Sequence, residues 1–212
     1  MRVKICGLTR AEDASLAHSL GAWALGLIFY PKSKRFIDAD KAKEIVASLP
    51  RDALPIGVFV NQTEDALKTA ETVGLKGLQL HGDETPNELR HARANFGGVL
   101  IKALRPKTDA DLQAIAEYKG LVDYILLDAA TGAEYGGTGH TGDWSLARRA
   151  AMLGVPVIVA GGLGPENILD AFENTHPFAF DLASGVEASP GVKDPEKLKL
   201  LFATIQEASH AA

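Results

Sequence analysis

The sequence has little cysteine, no long apolar run and no excess of positive charge. Its 212 residues include one cysteine, Cys6, which excludes a disulfide within the chain and a metal site built from several thiolates. No stretch approaches the roughly 18 consecutive apolar residues of a transmembrane helix. The formal net charge of −5 argues against nucleic acid or an anionic membrane as the main partner. The histidines are scattered, without a His-x-His or His-Glu-x-x-His pair, so we expect no catalytic metal.

The composition is that of an ordinary globular protein. Hydrophobic residues make up 46% and charged residues 23%, which excludes a disordered chain. No break in composition indicates a linker, so residues 1–212 are predicted to form a single domain. A lone thiol is typical of a reducing compartment, and residues 1–7 lack the apolar stretch of a signal peptide. We therefore expect a cytoplasmic protein.

Short apolar runs alternate with helical patterns along the chain. The runs are mostly continuous, as is typical of strands that are buried on both faces. Helix start signals follow them, among them capping-box patterns at Thr9 and Thr85 and prolines after Gly164 and Asp194. The predicted strands are Val3–Cys6, Ala24–Phe29, Pro55–Val60, Gly77–Leu80, Val99–Lys102, Tyr124–Asp128, Val155–Ala160 and Phe178–Leu182.

Eight strands and eight helices in strict alternation predict an α/β fold with a parallel sheet. Units of roughly 26 residues favour closure into a single-domain (β/α)8 TIM barrel, near the lower length limit of that fold. An open doubly wound sheet has the same alternation and remains the alternative. The spacing is longest after strands 2 and 6. Because the loops that follow barrel strands face the active site, these two loops are candidate functional loops.

Two ionisable residues are predicted at strand ends. Cys6 ends strand 1, where a helix starting at Thr9 would favour its thiolate, with Lys4 on the same face of the strand. A buried structural cysteine is the alternative. Asp128 ends the apolar strand 6, where partial desolvation would raise the pKa of its carboxyl and suit a general acid. An ion pair is the alternative for Asp128, whereas a helix cap is a poor one, since the next helix begins some sixteen residues later.

Arg35 and His81 are weaker candidates for substrate contacts. Arg35 belongs to a basic cluster in the long second loop, and an arginine can bind a carboxylate through two parallel hydrogen bonds. A solvated loop explains the same charges. His81 follows strand 4 and is as consistent with a structural role as with a substrate contact. The glycine-rich segment 136–142 matches no phosphate-binding loop and is a candidate lid.

Two glycine-bearing turns follow strands 7 and 8. The first contains Gly161 and Gly162, and the second contains Asp181, Ser184 and Gly185. Glycines let backbone N–H groups approach a ligand, and the loops after strands 7 and 8 are the usual phosphate site of such barrels. We therefore expect these turns to bind a phosphate group.

Together these segments resemble the phosphoribosylanthranilate isomerases of tryptophan biosynthesis, essentially from end to end. Each matching motif is short, but their order and spacing are specific. The motifs are Lys4-Ile5-Cys6-Gly7, Ser33-Lys34-Arg35, Gly57-Val58-Phe59-Val60-Asn61, Leu78-Gln79-Leu80-His81-Gly82, Leu126-Leu127-Asp128, Gly136-Gly137-Thr138-Gly139, Asp143-Trp144, Ala160-Gly161-Gly162-Leu163, Asp181-Leu182-Ala183-Ser184-Gly185-Val186-Glu187 and Pro190-Gly191-Val192-Lys193-Asp194.

The resemblance implies an Amadori rearrangement of N-(5-phosphoribosyl)anthranilate without a cofactor, acting on a small phosphosugar–anthranilate substrate. It implies that Cys6 is the general base, that Asp128 is the general acid and that Arg35 binds the anthranilate carboxylate. Gly142 departs from the family pattern, which commonly has a bulky apolar residue there, so altered closure of the sixth loop is expected. Monomer and homodimer both remain open.

Three other functions share parts of this pattern. An indole-forming synthase would use a lysine at a strand end, for which Lys102 is the candidate, but no matching glutamate ends a strand. An isomerase of the histidine pathway would use two aspartates, whereas strand 1 ends in Cys6. A phosphate-binding sensor on the same barrel would not need both Cys6 and Asp128.

Overall fold

The computed structural model describes residues 1–106, 108–113, 115–128 and 144–210. Eight parallel strands form a closed barrel in chain order, and the last strand, β8, pairs with the first, β1. This confirms the predicted (β/α)8 fold and excludes the open sheet. The strands are β1 (Val3–Ile5), β2 (Ala24–Ile28), β3 (Pro55–Phe59), β4 (Gly77–Leu80), β5 (Val99–Leu104), β6 (Tyr124–Asp128), β7 (Val157–Ala160) and β8 (Ala179–Leu182).

Helices lie between successive strands and pack on the outside of the barrel. The predicted helix start at Thr85 is confirmed, because Thr85 forms a complete capping box with Glu88. Asp38 caps the helix that follows β2. The helices are α1 (Ala11–Ser19), α2 (Ala39–Ala47), α3 (Thr63–Val73), α4 (Pro86–Asn95), α5 (Asp109–Gln113), α6 (Ile115–Tyr118), α7 (Trp144–Ala151), α8 (Ile168–Thr175) and α9 (Pro195–His210).

Alternation along the strands separates two buried layers. On β6, Ile125 and Leu127 belong to the layer between barrel and helices, whereas Leu126 belongs to the barrel interior. Because successive side chains point to opposite faces of a strand, Asp128 shares the interior face with Leu126. The same alternation places Cys6, which follows the outward-facing Ile5, at the mouth of the barrel interior.

Several predicted boundaries are wrong. Strand β1 ends at Ile5 rather than Cys6, although the backbone N–H of Cys6 still donates to the carbonyl of Leu182. Helix α1 begins at Ala11, because the Thr9 hydroxyl donates to the carbonyl of Gly191 and does not cap the helix. The proline start after Gly164 is a turn, and α8 begins at Ile168.

The chain between β8 and α9 contains elements that the sequence pattern did not predict. A 3-10 turn (Ser184–Val186) leads into an antiparallel hairpin of β9 (Glu187–Ser189) and β10 (Val192–Lys193). The hairpin brings Glu187 and Lys193 over the end of β1, where Lys193 donates to the carbonyl of Cys6 at 2.7 Å. Among the described residues, no helix is long and apolar enough to cross a membrane.

Candidate active site

A cavity at the carboxyl ends of the strands collects most of the residues predicted from the sequence. Its apolar wall comes from β2 and β3 and includes Ile28, Val58 and Val60. Gly185 does not line it, because the backbone of Gly185 packs against the carbonyl of Leu163. The predicted residues that do line it are Cys6, Arg35, His81, Asp128, Gly161, Gly162, Asp181 and Ser184.

The neighbouring strand leaves room for the thiol of Cys6. Cys6 is 6% exposed, and a Cβ added at Gly26 of β2 would lie 2.8 Å from its Sγ. Carbon and sulfur do not approach so closely without strain. Position 26 therefore requires glycine, because any side chain there would displace the sulfur of Cys6.

A buried ion pair lies beneath the thiol. The Lys4 ammonium lies 2.9 Å from both carboxylate oxygens of Asp181, and Lys4 is fully buried. The two residues are distant in sequence but adjacent in the barrel, because Lys4 of β1 and Asp181 of β8 are register partners. Burial lowers the pKa of Lys4, but Asp181 and Cys6 together outweigh that effect through charge and hydrogen bonding, and the net pKa of Lys4 is raised.

The thiol of Cys6 is held in its neutral form. Burial, reinforced by the charge of Asp181, raises the pKa of Cys6 above its ordinary value, while Lys4 and Lys193 act in the opposite direction. The expected thiolate stabilisation by a helix start at Thr9 is wrong, since α1 begins two residues later. The cations that favour the thiolate are therefore two buried lysines.

Asp128 faces an imidazole. Its Oδ2 lies 3.5 Å from Nε2 of His81, longer than a good hydrogen bond. On the other side of the ring, Nε2 of Gln79 lies 2.8 Å from Nδ1 of His81. With the Gln79 amide in this orientation its nitrogen donates to Nδ1, and a neutral His81 then carries its proton on Nε2, the nitrogen that faces Asp128.

Arg35 is anchored by a carboxylate of the hairpin. Its Nε and Nη2 donate to the two oxygens of Glu187 at 2.8 and 2.7 Å. Glu187 is buried and Arg35 is partly buried, with side-chain exposed fractions of 4% and 12%. Gly7, at φ +74°, packs against the Arg35 side chain and occupies a left-handed conformation that favours glycine.

The two turns after β7 and β8 pack against each other at the cavity edge. Gly161 and Gly162 have φ values of +102° and +61°, which presents backbone groups rather than side chains to the cavity. Asn167 supports this turn, because it accepts from the N–H of Gly164 and donates to the carbonyl of Gly162, both at 2.9 Å. Ser184 begins the adjoining 3-10 turn after β8 and also lines the cavity.

Two features predicted from the sequence, Lys102 and segment 136–142, are not among the described residues that line this cavity. Lys102 does not line the cavity: it faces outward from β5 and forms a buried ion pair with Glu84 at 2.8 Å. Segment 136–142, including Gly142, lies outside the described residues. Within the described ranges, no group of three or more histidine, cysteine, aspartate and glutamate side chains is arranged to hold a metal ion.

Fold and site together define a (β/α)8-barrel enzyme with groups suited to general acid–base chemistry at the carboxyl ends of its strands. Residues 3–204 match the family model of N-(5'-phosphoribosyl)anthranilate (PRA) isomerase. The chain belongs to this family, as its sequence motifs predicted.

Individual relatives agree over nearly the whole chain. The isomerase of Syntrophus aciditrophicus is 44% identical over 205 residues, which cover 96% of this chain and 86% of that relative. A solved phosphoribosyl anthranilate isomerase in complex with reduced 1-(o-carboxyphenylamino)-1-deoxyribulose 5-phosphate matches at 37% identity and a TM-score of 0.85, covering 98% of this chain and 99% of that one. Monomers of the dimeric Thermotoga maritima enzyme match at 36% identity and a TM-score of 0.86, with the same coverage of both chains.

Four supporting residues had no assigned role, or only a vague one, in the sequence. The sequence placed Lys4 only on the same strand face as Cys6, and Gln79, Glu187 and Lys193 appeared only inside motifs. The period-2 spacing of Lys4 from Cys6 and of Gln79 from His81 was the available signal, because residues two apart on a strand share a face. Glu187 gave no such signal, since it lies 152 positions from Arg35.

Proposed function

We propose that this chain catalyses the Amadori rearrangement of N-(5'-phosphoribosyl)anthranilate to 1-(2-carboxyphenylamino)-1-deoxyribulose 5-phosphate in tryptophan biosynthesis. Family membership supports the reaction. The observation that carries the mechanism is that the thiol of Cys6 and the carboxyl of Asp128 line one cavity from non-adjacent strands, β1 and β6. An acid and a base so separated flank a bound sugar on two sides.

In the first step, Asp128 protonates the ring oxygen of the ribose. The bond between C1 and that oxygen breaks, and the nitrogen lone pair forms a protonated imine. Asp128 suits this role because it ends β6 at 5% exposure, facing His81. The proton of His81 on Nε2 orients the carboxylate that remains after the transfer.

In the second step, Cys6 removes the proton from C2 of the open chain. The imine receives the electron pair and becomes an enolamine, which tautomerises to the ketone. Because burial raises the pKa of Cys6, only a small fraction of the thiol is ionised at neutral pH. The buried cations Lys4 and Lys193 are the groups that stabilise the thiolate as it forms.

The substrate's two ends fit the two sides of the cavity. Arg35 binds the anthranilate carboxylate, and the apolar wall of Ile28, Val58 and Val60 suits the aromatic ring. The turns after β7 and β8 bind the phosphate, where the positive φ of Gly161 and Gly162 lets the backbone approach closely. Further substrate contacts are assigned to His81, Asp181 and Ser184, which line the cavity, and not to Gly185, which does not.

Two substitutions test the acid–base pair. Cys6→Ala and Asp128→Asn are each expected to reduce turnover by more than about 10²-fold without a change in fold. The assay follows loss of substrate fluorescence, without added cofactor, and circular dichroism checks the fold. Asp52→Asn, at a largely exposed aspartate, is the matched control for charge removal.

Near-normal turnover in both variants would refute the mechanism. Tight binding of the substrate by the unmodified chain without turnover would instead indicate a phosphosugar sensor. Arg35→Met is expected mainly to raise KM, because it removes a binding contact rather than a reacting group.

We also propose that residues 1–212 act as one domain in the cytoplasm, as a monomer or homodimer. The single cysteine and the biosynthetic family support this location. The dimeric Thermotoga maritima relative supports the dimer.

A further inference from the structure

Arg35 uses only one edge of its guanidinium within the protein. The edge formed by Nε and Nη2 donates two parallel hydrogen bonds to Glu187, at 2.8 and 2.7 Å. A guanidinium has a second edge, formed by Nη1 and the remaining hydrogen of Nη2, which also presents two parallel N–H groups. In the part of the chain that the structure describes, no hydrogen bond from Nη1 is observed.

The carboxylate of Glu187 is itself fixed from behind. Nζ of Lys193 donates to Glu187 Oε1 at 2.9 Å, and the backbone N–H of Gly191 donates to the same oxygen at 3.2 Å. Burial raises the pKa of Glu187, but hydrogen bonds from Arg35 and the charge of Lys193 outweigh it and lower the net pKa. Glu187 is therefore an ionised, immobile anchor.

The cluster keeps a net positive charge for a ligand. Arg35 and Lys193 supply two positive charges, and Glu187 supplies one negative charge between them. An isolated buried ion pair would cancel the attraction of Arg35 for an anion, whereas the second cation, Lys193, restores it. The ammonium of Lys193 is fully buried, so water screens it little. Burial lowers the pKa of Lys193, and the charge and hydrogen bond of Glu187 oppose that shift and favour the ammonium.

From this geometry we infer that Glu187 is a positioning residue for specificity: it holds Arg35 so that the Nη1–Nη2 edge receives the carboxylate of the aryl amine. The inference rests on the proposed role of Arg35 in binding that carboxylate. Arg35 then recognises the substrate carboxylate end-on, and this recognition depends on a second carboxylate within the protein, that of Glu187. An arginine released from Glu187 would lose side-chain order and bind the same anion less well.

The test compares two substrates that differ only in the carboxylate. These are N-(5'-phosphoribosyl)anthranilate and N-(5'-phosphoribosyl)aniline, each made by condensing the aryl amine with ribose 5-phosphate. Product formation is followed by chromatography for both, and kcat and KM are measured for the unmodified chain and for Glu187→Gln. The ratio of the two kcat/KM values measures recognition of the carboxylate.

Glu187→Gln is expected to lower this ratio by about tenfold, mostly through KM of the carboxylated substrate. Glu187→Asp keeps the charge on a shorter side chain, and its ratio is expected to lie between that of the unmodified chain and that of Glu187→Gln. It also replaces Glu187→Gln if thermal unfolding shows that the latter does not fold. Glu196→Gln, at an exposed glutamate paired with Lys199 in α9, is the control and should leave the ratio unchanged.

The outcomes separate this inference from the proposed function. Equal losses on both substrates would show that Glu187 only braces the loops and would overturn the inference, as would no loss on either. Arg35→Met is run in parallel. If Arg35→Met also leaves the ratio unchanged, the proposed role of Arg35 itself fails. If the ratio collapses in Arg35→Met but not in Glu187→Gln, only the role of Glu187 is refuted.

Discussion

The close approach of Gly26 to Cys6 gives a prediction whose size can be worked out from the structure. A Cβ at position 26 would lie 2.8 Å from Sγ and 3.0 Å from the α-carbon of Cys6. Ordinary distances between non-bonded heavy atoms are about 3.5–4.0 Å, so in Gly26→Ala the cysteine must move by roughly 0.5–1 Å. Because the α-carbon of Cys6 is part of the backbone, a change of side-chain rotamer does not relieve the second of these clashes.

This displacement should affect both catalysis and stability. A misplacement of about 1 Å in a reacting group can cost on the order of 10²-fold in rate, so kcat should fall by about 10- to 100-fold. Overpacking of a tight core costs about 1–3 kcal/mol. For a chain of this size each kcal/mol lowers Tm by about 2–4 °C, so the expected decrease is about 2–12 °C.

Steady-state kinetics and thermal unfolding measure the two effects. Gly97→Ala is the matched control, because a Cβ there meets nothing within 4 Å and Gly97 is not among the glycines with positive φ. The same Gly26→Ala change should cost less stability in a Cys6→Ala background, by about 0.5–3 kcal/mol, since the sulfur contact is then absent. An unchanged kcat and Tm in Gly26→Ala would refute the placement of the sulfur described above.

Three further predictions concern charges and a helix cap. Lys102→Met should cost about 3–5 kcal/mol in denaturant unfolding, because it leaves Glu84 charged and buried, and Glu84→Gln in the same chain should restore part of that loss. Asp181→Asn should shift to lower pH the range over which the rate, and the alkylation of Cys6, rise with increasing pH. The charge of Asp181 raises the pKa of Cys6, so its removal lowers that pKa and increases the thiolate at a given pH; an unshifted alkylation profile contradicts this. Thr85→Ala should lower the free energy of unfolding by about 1 kcal/mol without changing turnover.

The barrel could be predicted because its signals are local. A strand buried on both faces reads as a short apolar run wherever it occurs, and the run of β6 ends at Asp128 as predicted. Boundaries were less accurate because hydrogen bonding with neighbouring strands decides them. Strand β5 extends to Leu104, beyond the predicted Lys102, since Ala103 and Leu104 have register partners in β6.

The supports of the site could not be predicted from local patterns. The capping-box pattern at Thr9 is genuine in sequence, but the hydroxyl is taken by a carbonyl 182 positions away. Lys102 ends its predicted strand like a catalytic lysine, yet the true strand places it on the outer face, against Glu84. In each case a partner remote in sequence decides what the side chain does, and only the closed barrel brings that partner into contact.

The hairpin after β8 couples the two ends of the proposed reaction. Nζ of Lys193 donates both to the carbonyl of Cys6 and to Glu187, which in turn holds Arg35. A change at Lys193 therefore disturbs the base and the carboxylate contact together, and its kinetic effect cannot be assigned to either. Among the described residues, the side chain of Glu187 accepts hydrogen bonds from Arg35, Lys193 and the backbone of Gly191, and it makes none with Cys6. Substitution at Glu187 is for this reason the sharper probe of recognition, and Lys193→Met should instead lower kcat and raise KM at once.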